Sequence, residues 1–225
     1  IFFSFTILVL LYVNKNFDFG FSIFSAGNDG ILYMSYSNKL YQYLSNLNLY
    51  DFFKGMESIF YFPSSLRYFW VINKIFFGDT IYGYLLVILI MPYLVFIILR
   101  NIISSKILII IFSILFFGTR VFEGYSFSNI TMIQHVYAGD AEPLAIFLFL
   151  VSLILFMKIE KNKYKCLSVN YFVIGFILFL SVSLRPNYLP TAFLLFIIII
   201  LRNYFILRLN LNIFFLIVGF GFIIL

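Results

Sequence analysis

The chain has 225 residues, 64% of them hydrophobic and only 11% charged, with a formal net charge of +6. A soluble domain carries about 25% charged residues, so this surface cannot be kept wet, and an all-α polytopic membrane protein is expected. One cysteine, Cys166, and one histidine, His135, exclude an internal disulfide, a Cys-based zinc site and a multi-histidine metal centre within the chain. The positive charge is assigned to basic loops that orient membrane helices, with no nucleic-acid partner.

Residues 1–13 are apolar and read as a truncated first transmembrane helix; the chain also ends inside an apolar run at Leu225, as a fragment of a longer protein would. Residues 14–80 follow as a long loop. Loops above about 12–15 residues usually fold or function. Here Tyr33, Tyr36, Leu40, Tyr43 and Leu47 recur at spacings of 3 and 4, which predicts a helix from Asp29 to Leu47 with one aromatic and apolar face. The stretch "LYDFFKGMESIFYFPSSLRYFWVINKIFFGDT" suits amphipathic helices in the headgroup region, where Tyr and Trp are favoured. Pro63 breaks it, a short helix runs from Ser64 or Ser65 through Phe77, and Gly78-Asp79-Thr80 forms a turn.

Residues 81–225 read as a transmembrane bundle with spans near 81–99, 107–121, 143–157, 170–184, 190–201 and 211–225, about seven spans with the first. Basic residues mark alternate loops: Arg100 and Lys106; Lys158, Lys161, Lys163 and Lys165 against Glu160; Arg202 and Arg208. Those loops are expected in the cytoplasm. The opposite loops hold Asp18, Asp29, Asp51, Glu57, Asp79, Glu123, Asp140 and Glu142, eight of the nine carboxylates. Either these loops are simply longer, or they build an outward-facing site.

Three stretches carry candidate chemistry. Asp29, in "GNDGIL", suits a helix N-cap and equally a carboxylate acting as general base or metal ligand. In "QHVYAGDAEPLAIF", Asp140 and Glu142 precede Pro143 and suit a helix start, while His135 can carry a proton or contact a phosphate. In "SLRPNYLP", Arg185 lies between two spans, in a connection that Pro186 and Pro190 should keep rigid and non-helical. Its guanidinium suits either headgroup contact or a bidentate phosphate clamp. Arg120 and Glu123 can pair, and "NIT" at Asn129 is a formal glycosylation sequon. There is no phosphate-binding glycine loop and no His-Glu-x-x-His, and the span centres carry no charge. That argues against an ATP-driven core, a proton relay and an ion channel.

The layout, one span, a long outer loop with an early acid, then many short-loop spans, resembles the GT-C superfamily of polytopic membrane glycosyltransferases. The stretches "GNDG", "FYFPSSLRYF", "GDAEPLAIFLFL" and "LRPNYLP" are similar to those of bacterial integral membrane proteins placed there. The resemblance implies an inner (plasma) membrane protein of the cell envelope with its long first loop non-cytoplasmic. It further implies transfer of a sugar from a polyprenyl-phosphate-linked donor, with a divalent metal in some members. Asp29 matches the first-loop acid, with Asp140 and Glu142 as further catalytic acids and Arg185, Arg67 and His135 as the phosphate-binding set. The alternatives are a transporter or flippase of lipid-linked glycans, which needs a polar path through the spans, and a non-catalytic membrane assembly protein, in which Asp29 only caps a helix.

Overall fold

The computed structural model describes residues 28–55, 64–118, 129–161, 168–204 and 210–221. The expected span at 1–13, Pro63, Arg120, Glu123, Cys166 and the basic Lys163, Lys165 and Arg208 lie outside them. Every element among the described residues is helical. In chain order they are α1 (Asn28–Ser45), α2 (Leu49–Lys54), α3 (Ser64–Phe77), α4 (Tyr82–Ile102), α5 (Lys106–Gly118) and α6 (Asn129–Ala138). Then come α7 (Glu142–Lys161), α8 (Ser168–Leu184), a 3-10 turn (Pro186–Tyr188), α9 (Leu189–Arg202) and α10 (Asn210–Gly221).

Among the described residues, two helices are long and apolar enough to cross a membrane, Tyr82–Ile102 and Glu142–Ile159. Ser168–Leu184, Pro186–Arg202 and Asn212–Gly221 are apolar but shorter. At 1.5 Å per residue, a 17-residue helix such as α8 reaches only about 26 Å against roughly 30 Å of hydrocarbon. Of the roughly seven spans expected, two have a helix of full membrane length among the described residues.

The chain forms two compact units, Ile1–Tyr93 with Ile110–Pro143, and Leu94–Ile109 with Leu144–Leu225. In the first, α1 and α3 pack through Leu40, Leu66, Trp70 and Val71, all buried. Polar contacts then lock the pair. Lys74 donates to Asn38 Oδ1 at 2.6 Å, pairs with Asp79 at 2.8 Å and lies over the Tyr41 ring. The α1 face differs from expectation. Tyr33, Ser37 and Leu40 are buried, but the helix stops at Ser45 and Leu47 adopts a positive φ of 57° with its side chain in the open. Gly78 supplies the expected turn after α3, its N–H closing on Lys74 O at 3.0 Å.

In the second unit, α7 to α10 share a core of Phe156, Tyr171, Ile174, Leu178, Leu195 and Leu216. α8 and α10 come within backbone contact: a Cβ on Gly175 would overlap Leu216 O, and one on Gly219 would overlap Phe172 O. Small residues at a crossing let dispersion contacts form where no water need be expelled, as suits helices packed in lipid. Ser181 Oγ donates to Ala145 O at 2.8 Å, tying α8 to α7 without a buried charge.

The connection at Arg185 corrects the sequence reading. Arg185 itself is extended (φ −145°, ψ 99°), but Pro186–Tyr188 is a 3-10 turn and Pro190 sits in the first turn of α9. Proline is tolerated there because the first N–H groups of a helix have no intrahelical acceptor to lose.

Candidate functional site

The residues that can do chemistry meet at the end of α6. Gly139 follows that helix with φ 74°, a left-handed conformation that glycine adopts without a Cβ penalty. Its N–H bonds Val136 O at 3.0 Å and the Asp140 N–H bonds His135 O at 2.9 Å, the paired closure of a Schellman motif. That closure turns the chain back on itself, so Asp140 lands beside His135 of the last helical turn. The Asp140 Oδ2 to His135 Nδ1 distance is 2.7 Å. Two residues on, Glu142 opens α7, where the positive end of the helix dipole favours a carboxylate.

The turn is anchored from the first unit's interior. Tyr84, fully buried in the first turn of α4, donates its hydroxyl to the Asp140 carbonyl. Its ring is held edge-on by Phe69 and Trp70 of α3, with centroids 5.2 and 5.5 Å away. Since Glu142 is the first residue of α7, the starts of both full-length apolar helices meet at this turn.

The start of α1 reaches the same place. A Cβ on Gly30 would overlap the carbonyl oxygen of Ala138, so only glycine lets the two backbones approach this closely. The partly positive N-terminus of α1 thereby faces the partly negative C-terminus of α6, a favourable pairing of helix ends. Asp29, immediately before Gly30, is carried to the turn of Asp140. Among the described residues the helix runs from Asn28, with Asp29 the next residue along.

His135, Asp140 and Glu142 are all half-buried and each offers one donor atom, the three within 4.8 Å of one another. One imidazole nitrogen and two carboxylates are a donor set that a divalent cation can use. Without a metal, the same set makes a proton-transfer dyad. A carboxylate on Nδ1 fixes the ring and leaves the lone pair of the neutral imidazole on Nε2.

The other two candidates stand differently. Arg67 is buried, donates to Gly55 O at 2.6 Å and lies over the Tyr36 ring at 5.0 Å. It clamps the end of α2 to α3 and α1, which gives it a structural task. Arg185 belongs to the second unit, where it is half-buried, its N–H on Ser181 O and its carbonyl taken by Tyr188 N–H. Sequence reasoning missed Tyr84, Gly30 and Gly139. The glycine of "YAGD" after an apolar helix was a legible stop signal; nothing in the sequence singled out Tyr84 among 17 tyrosines.

No protein-family model, curated protein or solved structure matches the chain. The functional reading therefore rests on its residues and their arrangement.

Proposed function

We propose that the chain is an integral membrane glycosyltransferase of the GT-C kind, transferring a sugar from a polyprenyl-phosphate-linked donor at the non-cytoplasmic face. The observation that carries the reading is the convergence of His135, Asp140 and Glu142, with the backbone of Gly30 (the neighbour of Asp29) against the same turn, at the point where α4 and α7 both begin.

Two further features support it. Only 33% of the apolar window of α4 and 39% of that of α7 are buried within the chain. Leu86, Ile90, Phe193, Leu194 and Ile198 are open on helix faces that water would penalise and lipid would not. Because α4 and α7 start together, the loops that precede them belong on one side, as the charge pattern of the loops requires.

Glycosyl transfer removes a proton from an acceptor hydroxyl and places negative charge on a leaving phosphate. In this reading Asp140 holds the His135 ring through Nδ1 and Nε2 takes the acceptor proton. Glu142 and Asp29 supply the further acids; in the alternative arrangement, His135, Asp140 and Glu142 would instead hold a divalent cation that offsets charge on the phosphate, and the imidazole would then not serve as the base. Arg185 remains the guanidinium candidate for that phosphate.

The test uses the full-length protein in proteoliposomes with a polyprenyl-phosphate-linked sugar. A general base contributes typically about 10²–10⁴-fold. Asp140→Asn and His135→Gln are each expected to lower transfer by about 100-fold or more with thermal stability close to the parent. Transfer at parental rates in both variants would remove the dyad from the mechanism.

A further inference from the structure

We propose that α2 and α3 form a foot that rests in the headgroup layer of the bilayer, with its apolar outer face against lipid, and sets the depth of the His135–Asp140–Glu142 cluster. The inference rests on the reading of α4 as a membrane span. α3 is apolar on two sides. Its inner side buries Leu66, Trp70 and Val71. Its outer side carries Ile72, Ile75 and Phe76, which are 53%, 50% and 74% exposed. Ile72 and Phe76 lie one turn apart on one face, with Ile75 beside them. α2 adds Tyr50 and Phe53, 77% and 74% exposed, and is fastened to α3 by Tyr68, whose hydroxyl donates to Phe52 O at 2.8 Å. An exposed row of large apolar residues on a loop helix marks a binding face.

The occupant follows from how α3 is attached. Asn73 of α3 accepts the Gly83 N–H of α4 at 2.9 Å and donates to Thr80 O, capping the first turn of α4 with a side chain from the neighbouring helix. Gly83 lies so close to Asn73 and to the Phe77 ring that a Cβ there would overlap the Asn73 amide. Phe69 and Trp70 hold Tyr84 one turn further in. α3 is thus pinned to the end of a membrane-length helix, with no room to stand away from the surface where that helix enters. At that level the exposed Ile and Phe meet acyl boundary and headgroups, where an amphipathic helix settles about 5–10 Å deep. Lys54, exposed at the end of α2, suits anionic headgroups beside it. The chain of contacts from α3 through Tyr84 to the Asp140 carbonyl carries that depth to the cluster. A phosphate-bearing lipid in the same layer would meet the cluster without leaving the membrane.

Spin labels read this depth independently of any transfer activity. Cys166→Ser removes the single cysteine, and single cysteines then replace Phe76, Ile72, Ile90 of α4, or the exposed Lys39 of α1. In vesicles of equal phosphatidylcholine and phosphatidylglycerol, collisions with oxygen and with a polar nickel chelate are compared. The labels at Phe76 and Ile72 are expected to favour oxygen severalfold more than the label at Lys39, and less than that at Ile90. If Ile90 reads as lipid while Phe76 and Ile72 read as water, the foot is wrong and the span stands. If Ile90 also reads as water, the membrane reading fails and the foot fails with it. Labels at Phe76 and Ile72 shielded from both reagents would mean a protein partner covers the face, which also overturns the proposal.

Discussion

Each of the two units is held together internally by its own kind of contact. In the first, helices are joined by directional polar bonds that run from a side chain of one helix to the backbone of another: Tyr84 to Asp140, Asn73 to Gly83, Arg67 to Gly55. In the second, α8 and α10 mesh through Gly175 and Gly219 with a core that is almost wholly apolar. Dispersion packing has no preferred direction and tolerates small rotations. It can hold a bundle but cannot aim an imidazole. Directional bonds fix orientation, and in the first unit one of them, from Tyr84, ends on the turn that carries the His135–Asp140–Glu142 cluster.

The largest effect that separates the two is expected from Gly219→Val. The new side chain would be driven into the carbonyl of Phe172, and α8 and α10 would have to separate. Overpacking costs about 1–3 kcal/mol, and the upper end applies because the obstacle is backbone. Denaturant unfolding in detergent should register a loss of about 3 kcal/mol. The reactivity of His135 toward diethylpyrocarbonate, a site-specific probe because the chain has one histidine, should not change. A change there would show that the polar unit depends on the apolar packing.

Gly30→Ala is the converse experiment. Its methyl group would meet the Ala138 carbonyl and push the start of α1 off the end of α6. The expected loss is about 2 kcal/mol, smaller because one methyl is added at one helix end. Here His135 reactivity should rise and transfer activity should fall, since the turn that carries Asp140 loses its neighbour. Parental reactivity and activity would mean that α1 does not support the site.

The legibility of the sequence follows the same division. Apolar runs of the second unit are long, uninterrupted and bounded by Lys or Arg, so α7, α8 and α9 could be read within a few residues. The closeness of His135 to Asp140 was also within reach, because five residues separate them across a glycine stop. What hid the rest was distance in the chain. Gly30 and Ala138 are far apart in sequence, as are Tyr84 and Asp140, and no local period reports such a pairing. The structural partner of Arg67 was hidden for a related reason: its acceptor, Gly55 O, is twelve residues away in the chain. At Pro186 and Pro190 two breakers in five residues read as irregular chain, yet both occupy first-turn positions where a missing N–H costs little.

The smallest effect concerns Tyr68, which fastens α2 to α3. Burial raises its pKa above the ordinary value near 10, and the neighbouring Arg67 charge opposes the rise only in part. The folded chain therefore prefers the neutral phenol, the form that donates to Phe52 O. A group whose pKa is raised by folding contributes stability that is complete below its unfolded pKa and is lost as pH climbs through the higher folded value. The difference in stability between the parent and Tyr68→Phe should thus be constant up to a pH of about 10 and shrink above it. By phenolate absorbance, Tyr68→Phe should lose one phenol that in the parent titrates later than the exposed tyrosines. The close approaches at Gly175 and Gly219 are to backbone atoms, which do not titrate, so the stability lost through Gly219→Val should stay flat over the same range. A stability difference for Tyr68→Phe that is equally flat through high pH would show that the ring contact with Phe52, and not the donated proton, holds α2 to α3.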